Sequence, residues 1–445
     1  MFVYYLESSK GWKWEKSSIV HREKLIKLQD YGKKHPKEIK EVNGVRFCCS
    51  NKFLIGRGGD GTRVYVGLGK DGYERAVKRF PSDACACVAE QEKRVLNELN
   101  ATQSNHVVRY WFLDDENDNE WLFLILDLCE ETLINYVNRS SLEDLGKNVQ
   151  TIIQQVLKGL ADLHRNPKPV LHRDLKPSNI LRDVRGNWLL ADFGISRILT
   201  TGDSSHLSEQ RGTEDWRAVE SYPRNGMPDD GVVRYKKESD IQVAGIVAFY
   251  VVTKGEHPFG KKRYRLGNLL DGNPVGLSIL KDLVLKDLLS WMLSHDPDER
   301  PSAQEALKHP YFQPEKKQFE MLCKVGNQPE IKTGNVKSEV VRKLNCNPKD
   351  WRSLANPDVL KYLSTDSRKG KTFHYKPSWT DCLRLMRNVK QHWHDRLRPR
   401  PEIFYLVGDP QEYFLALLPN LPVQIHRIVR LCDWKERPDL REYFI

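Results

Sequence analysis

The sequence predicts an α+β chain in three parts: a strand-rich lobe with one helix, a larger helical lobe, and an all-α tail. Three observations predict it. From Phe53, short β-like runs broken by glycines succeed one another (FLIGRGGDGTRVYVGL, YERAVKRF, WLFLILDLC). Beyond Leu133, apolar residues recur every three or four positions, as in TIIQQVLKGLADLH. A second helical stretch, TDCLRLMRNVKQHWHD, lies past His309–Phe312, where the helical lobe closes. At 445 residues the chain exceeds one core, and a prior of roughly 150 residues per domain suggests two or three units. The expected boundaries are a leader at 1–50, a two-lobed domain at 51–312 and a tail domain at 313–445.

The leader is polar and Lys-rich with scattered aromatics, and reads as a short helix or extended segment without a core of its own. With 39% hydrophobic and 10% aromatic residues, the whole chain has the composition of a globular protein. No stretch approaches the ~20 apolar residues of a membrane span, and MFVYYLESSKGWKWEK lacks the long apolar run and small-residue cleavage site of a signal peptide. Nine cysteines without a C-x-x-C pair suit reduced thiols, so a cytoplasmic location is expected; Cys85 and Cys87 read as packing or surface-loop residues.

Charge is shared unevenly. Of the net +11, residues 313–445 carry 25 Lys and Arg against 16 Asp and Glu, leaving only +2 for the rest. Lys361–Arg400 alone holds eleven basic and three acidic residues, a patch that attracts polyanions by counterion release, RNA foremost. On charge alone, a solvated basic face remains the alternative.

Within the strand lobe, Gly56, Gly58 and Gly61, with Val64 beyond them, form G-x-G-x-x-G-x-x-V between two predicted strands. Small residues there let backbone N–H groups approach phosphate oxygens, and the valine can pack on a purine. A glycine-rich hairpin has innocent explanations, so its weight comes from the charged residues downstream. Ala76-Val77-Lys78 supplies an ammonium for α- and β-phosphates, with Glu92 on the next helix placed to orient it and Glu90 as the alternative. In LHRDLKPSNIL and ADFG, Asp174 would accept a hydroxyl proton and Lys176 would neutralise developing phosphate charge, while Asn179 and Asp192 would hold Mg²⁺. Residues 50–312 thus resemble the eukaryotic protein kinases. Asp240 with Gly245, and Arg300 opposite Glu220, fit that family, although Ala218-Val219-Glu220 stands where A-P-E is usual. The resemblance implies ATP or ADP as ligand, Leu126 as gatekeeper and Asp127–Cys129 as hinge. In the polar activation segment, Ser204, Ser205 and Ser208 are candidate phosphorylation sites with Arg197 and Arg211 nearby, and autophosphorylation in trans is expected.

In the tail, at 100° per residue, Cys382, Met386, Val389 and Trp393 share one helix face and should be core. Asn388 and His392 stack on an adjacent stripe; Arg384 lies nearer that stripe than Arg387, which points about 100° away. RNA cleavage without a metal needs a base for the 2′-hydroxyl proton, an acid for the 5′-oxygen and donors for the phosphorane charge. Histidine can be the acid, whereas tyrosine is a poor base unless its surroundings help. From spacing alone, a surface histidine beside tryptophan is commonplace.

From about Pro314 to Phe444, directly after a kinase lobe, the tail resembles the kinase-extension nuclease domain of the unfolded-protein-response kinase/endoribonuclease and of ribonuclease L. The segment Tyr375–His392 is similar to their Y-x(4,5)-D-L-L-x-x-x-R-N-x-x-x-H pattern. By position, the resemblance implies Tyr375 as base, Arg387 and Asn388 as phosphate-binding or site-shaping residues, and His392 as acid, with no cofactor. It also implies RNA as substrate and a homodimer or higher oligomer favoured by nucleotide. Tyr375 lies thirteen residues before Asn388, the ribonuclease L spacing; the sensors' spacing of fourteen would put His374 there, and Leu417 replaces the arginine they carry before the later proline, here Pro419. The expected fold is a two-lobed protein kinase followed by an all-α kinase-extension nuclease domain, in a soluble chain without the sensors' luminal segments or ribonuclease L's ankyrin repeats. The rival readings are a kinase whose tail is only an RNA- or protein-binding module, and a nucleotide-sensing pseudokinase scaffold.

Overall fold

The computed structural model describes residues 12–59, 61–114, 120–199, 203, 205–209, 212–222, 232–346, 350–366, 369–396 and 400–445. Ser204 and Arg211 therefore lie outside the described residues, as does the side chain of Ser208. The chain packs into two compact units. One runs to Ser278 and takes in Leu289–Ala303; the other comprises Ile279–Leu288 and Gln304–Ile445.

The first unit opens with an antiparallel sheet of seven strands among the described residues: β1 (Lys40–Val42), β2 (Val45–Phe47), β3 (Leu54–Arg57), β4 (Arg63–Gly69), β5 (Glu74–Pro81), β6 (Tyr110–Asp114) and β7 (Trp121–Asp127), in the order β1-β2-β4-β5-β7-β6. β3 pairs with the first half of β4 and β2 with the second, so both share one edge of that strand. The leader is thus no separate appendage. Phe47, fully buried, packs with Val77, Phe123 and Ile125, a burial worth about 1.5–3 kcal/mol.

Upstream, the leader is fastened to the edge of the same lobe. Trp14 is fully buried. Glu130, just past β7, accepts from the Ser18 hydroxyl at 2.9 Å and from the backbone N–H groups of Ile19 and Val20. A ring nitrogen of His21 lies 3.1 Å from the Cys129 carbonyl oxygen, and Lys24 donates to the Leu54 carbonyl at the start of β3. The helix Ser82–Leu96 crosses behind the sheet, and the helices Leu142–Leu163 and Lys237–Val252 form the centre of the helical lobe. Ser141 starts the former with a capping box: its hydroxyl accepts from the Asp144 N–H and its own N–H is taken by the Asp144 carboxylate.

Among its described residues the second unit is all-helical apart from an isolated bridge between Thr365 and Thr372. Its core gathers Leu322, Trp351, Leu383, Met386, Phe414 and Phe444. The helix Glu315–Gly326 lies directly against the helix Trp379–His392, because a Cβ on Gly326 would overlap the Leu383 carbonyl oxygen. Within this unit the half-buried Asp287 carboxylate lies 3.1 Å from His309 Nε2 and accepts from Arg430 Nη1 at 2.6 Å.

Candidate functional site

Between the two lobes of the first unit, the glycine-rich strands form a hairpin whose turn is closed by Gly58 N–H donating to the Thr62 carbonyl at 2.9 Å. Gly61 takes φ +78°, a conformation that favours glycine. Gly56 pairs across with Val64 on β4, and Ala76 on β5, buried, stands opposite Leu126 on β7. Asp127 ends β7, where its carboxylate accepts from Trp111 Nε1 at 2.6 Å, and Cys129 lies just beyond in the hinge.

Lys78 sits at the centre of the cleft. Its ammonium bonds Glu92 at 2.7 Å and Asp192 at 2.8 Å, while Glu90 pairs instead with Lys93 on the surface. Burial opposes charge on Lys78, but the two carboxylates more than offset it and raise its pKa. Lys78 in turn holds the Asp192 carboxyl below its usual range, whereas burial pushes that of Glu92 up against the lysine's pull. Asp192 has φ +67°, a strained position for a non-glycine residue.

Asp174 is held from four sides: Lys176 Nζ at 2.7 Å and Asn179 Nδ2 at 3.0 Å on one oxygen, the Thr213 N–H and hydroxyl on the other. The Asp192 carboxylate, 42% exposed to the cleft, and the Asn179 amide oxygen are hard donors that suit Mg²⁺, which keeps water and phosphate oxygens for its other positions. Below this loop the buried Asp240 accepts from the backbone N–H groups of His172 and Arg173, and Arg300 grips Glu220 with two bonds of 2.8 and 2.9 Å. Arg234 donates to Ser205 at 3.1 Å.

In the second unit the helix Trp379–His392 carries the tail cluster, with Ser378 capping its start. Cys382, Met386, Val389 and Trp393 are all buried, and Asn388 and His392 lie on the adjacent stripe. Asn388 Nδ2 donates to the Tyr375 phenol oxygen at 2.8 Å, whereas His374 is exposed. His392, one turn on, is 62% exposed and turns Nδ1 toward Asp395 at 3.4 Å. Arg387 reaches Gln391 at 3.2 Å, and its Nε is enclosed without a partner among the described residues. Burial raises the Tyr375 pKa, opposed by the Asn388 hydrogen bond and by Arg384.

Residues 50–312 match the protein kinase domain family, more than half of the chain. The chain belongs to the protein kinase family. Behind the kinase domain, residues 318–444 match the family described as ribonuclease 2-5A. The human serine/threonine-protein kinase/endoribonuclease IRE2 is 32% identical over 394 residues, covering 86% of this chain and 41% of the relative. The Caenorhabditis elegans serine/threonine-protein kinase/endoribonuclease ire-1 is 31% identical over 422 residues, covering 88% and 40%. A probable serine/threonine-protein kinase of Dictyostelium discoideum, irlD, is 26% identical over 407 residues, covering 79% and 26%. The chain therefore spans about two fifths, or less, of these relatives' lengths.

The sequence places Arg384 near the Asn388 stripe but assigns no role to Asp381, its partner in the structure. Asp381 accepts from the Lys376 N–H at 2.6 Å and from Arg384 Nη1 at 2.8 Å, and Arg384 lies 6.0 Å from the centre of the Tyr375 ring. Their i, i+3 spacing on a helix is the available signal.

Proposed function

We propose that this chain is an ATP-binding serine/threonine kinase fused to a metal-independent endoribonuclease, with nucleotide-favoured dimerisation linking the two. The observation that carries the nuclease reading is the 2.8 Å bond from Asn388 to the Tyr375 phenol, on a helix that also bears Arg387 and His392. In the kinase cleft, Lys78 would meet the α- and β-phosphates, Asp174 would accept the substrate hydroxyl proton, and Lys176 would stabilise charge on the transferring group. Asn179 and Asp192 would hold Mg²⁺, which would supply charge neutralisation at the phosphates.

In the tail, Tyr375 as phenolate takes the 2′-hydroxyl proton of an RNA strand, and the freed oxygen attacks the adjacent phosphorus. The bond from phosphorus to the 5′-oxygen breaks, and His392 gives that oxygen its proton. Arg387 and Asn388 donate to the phosphate. The products carry a 2′,3′-cyclic phosphate and a 5′-hydroxyl. The excess of basic residues between Lys361 and Arg400 supports RNA as the polyanion, and a cytoplasmic location fits the reduced cysteines.

Purified protein incubated with a structured RNA in EDTA, with end-group analysis of the fragments, tests the nuclease half. Cyclic phosphate ends are expected, and strict Mg²⁺ dependence with 5′-phosphate products would refute it. For the kinase half, Lys78→Ala and Asp192→Asn should abolish autophosphorylation of the Ser204–Ser208 stretch, read by mass spectrometry. Wild type that acquires no phosphate there under ATP would count against the assignment.

A further inference from the structure

A neutral phenol is a weak base, so a site that relies on Tyr375 must favour its anion. Asn388 donates to the phenol oxygen, a bond that strengthens when the proton leaves. One amide is a modest aid for a side chain that is only 9% exposed, and a second device stands beside it. The Asp381 carboxylate spans two groups: one oxygen takes the N–H of Lys376, the residue after the tyrosine, and the other takes Arg384 Nη1. Arg384 is thereby aimed at the Tyr375 ring, its guanidinium carbon 6.0 Å from the ring centre.

We propose that Asp381 and Arg384 are positioning residues for the nuclease: Asp381 fixes the chain at Tyr375, and the guanidinium of Arg384 stabilises the phenolate that takes the 2′-hydroxyl proton. The inference rests on Tyr375 acting as base. The other charged groups around the phenol do not replace Arg384. Arg352, which donates to the Tyr375 carbonyl at 3.3 Å, is committed to Asp350 by bonds of 2.7 Å from Nε and Nη2. Arg387 turns to Gln391. Asp381 itself opposes the anion, and Lys376 and His374 are exposed. Arg384 and Arg387 favour the anion, and of the two it is Arg384 whose guanidinium is set beside the ring while Arg387 reaches Gln391.

Titration of the phenol itself is the test. The full chain is labelled with 3-fluorotyrosine, and the Tyr375 ¹⁹F resonance is assigned by its loss in Tyr375→Phe and titrated with pH. In Arg384→Gln the midpoint should rise by about half a pH unit or more, as expected for losing a partly screened cation at this range. Arg384→Lys, which keeps the charge, should stay near wild type. Molar salt should move the wild-type midpoint upward without any substitution, which serves as the check should a variant fold poorly. The alkaline limb of RNA cleavage should move with the phenol. An unchanged midpoint in Arg384→Gln, or an equal rise in Arg384→Lys, overturns the inference. Cleavage by Tyr375→Phe at the wild-type rate would instead refute Tyr375 as base, and the titration would still report whether Arg384 acts on the phenol.

Discussion

Two histidines show how the same side chain serves opposite ends according to its surroundings. His392 is 62% exposed and meets a rather distant Asp395 oxygen, so little of the fold depends on it. His392→Ala should therefore leave thermal stability and ATP binding unchanged while RNA cleavage falls by on the order of 10²- to 10⁴-fold, the usual loss for a general acid; undiminished cleavage would remove it from the mechanism. His257 is the reverse case. Its Nδ1 accepts from the Phe259 N–H, which leaves Nε2–H to donate to the Asp215 carbonyl, so the fold specifies the neutral tautomer. Burial and Arg265 push its pKa down to about 4, whereas the unfolded chain protonates near 6.5. Between those values the unfolded state binds a proton that the native state refuses, so stability is full above about 6.5 and declines as pH falls toward 4. At pH 5 this amounts to about 2 kcal/mol. Urea melts at pH 7 and pH 5 should show wild type losing about 2 kcal/mol more than His257→Asn; equal losses would mean His257 is not the responsible group. Neither role is decided by composition: helical arithmetic puts His392 beside Asn388, but the tautomer of His257 depends on partners distant in sequence.

Among elements, the close approach of two helices sets the geometry of the tail cluster. Gly326 lets the helix Glu315–Gly326 lie against the backbone of Leu383, and Leu383 sits midway between Tyr375 and Gln391, on the helix that carries Asn388. Gly326→Ala would drive a methyl group into a carbonyl oxygen, and a rigid backbone has no flexible side chain to yield. The expected result is destabilisation of the second unit by several kcal/mol, on the scale of core overpacking or more, with loss of RNA cleavage and retained ADP binding by the first unit. Hydrogen exchange resolved between 304–445 and the first unit would read it, and unchanged protection would show that the helices can separate without penalty. The same region shows where local sequence signals run out. Gly326–Lys337, with two glycines and a proline, has the composition of a loop, yet Gly326 closes one helix and Pro329 opens the short helix Pro329–Thr333; both residues are helix punctuation. The leader misleads for the opposite reason. Asn43-Gly44, with φ of 45° and 75°, is a two-residue hairpin turn between β1 and β2, and the signal is present in a segment whose lysines make it read as a short helix or extended leader.

For the whole molecule, the kinase motifs are legible because phosphoryl transfer fixes both residue types and spacing, and the structure brings Lys78, Glu92 and Asp192 together across more than a hundred residues. The tie of Asp287 to His309 and Arg430 is less legible, because no local periodicity announces an ion pair of that sequence separation. In the proposed coupling, how nucleotide occupancy would reach the nuclease is a question of population. A ligand that binds an associated state better than the monomer shifts the balance by its differential affinity and need not be hydrolysed. The cleft is equipped for nucleotide phosphates through Lys78, and Asp192 can take the accompanying Mg²⁺ whether or not a γ-phosphate is transferred. ADP should therefore activate RNA cleavage nearly as well as ATP, including in Asp174→Asn, where transfer is blocked but nucleotide binding is retained. Specific activity should climb with protein concentration and level off, as a symmetric dimer requires, and ADP should move that rise to lower concentration. Sedimentation run across the same dilution series gives the independent measure of association. Activity per molecule that stays flat while monomer becomes dimer would separate the two functions and leave the kinase domain merely attached to the nuclease.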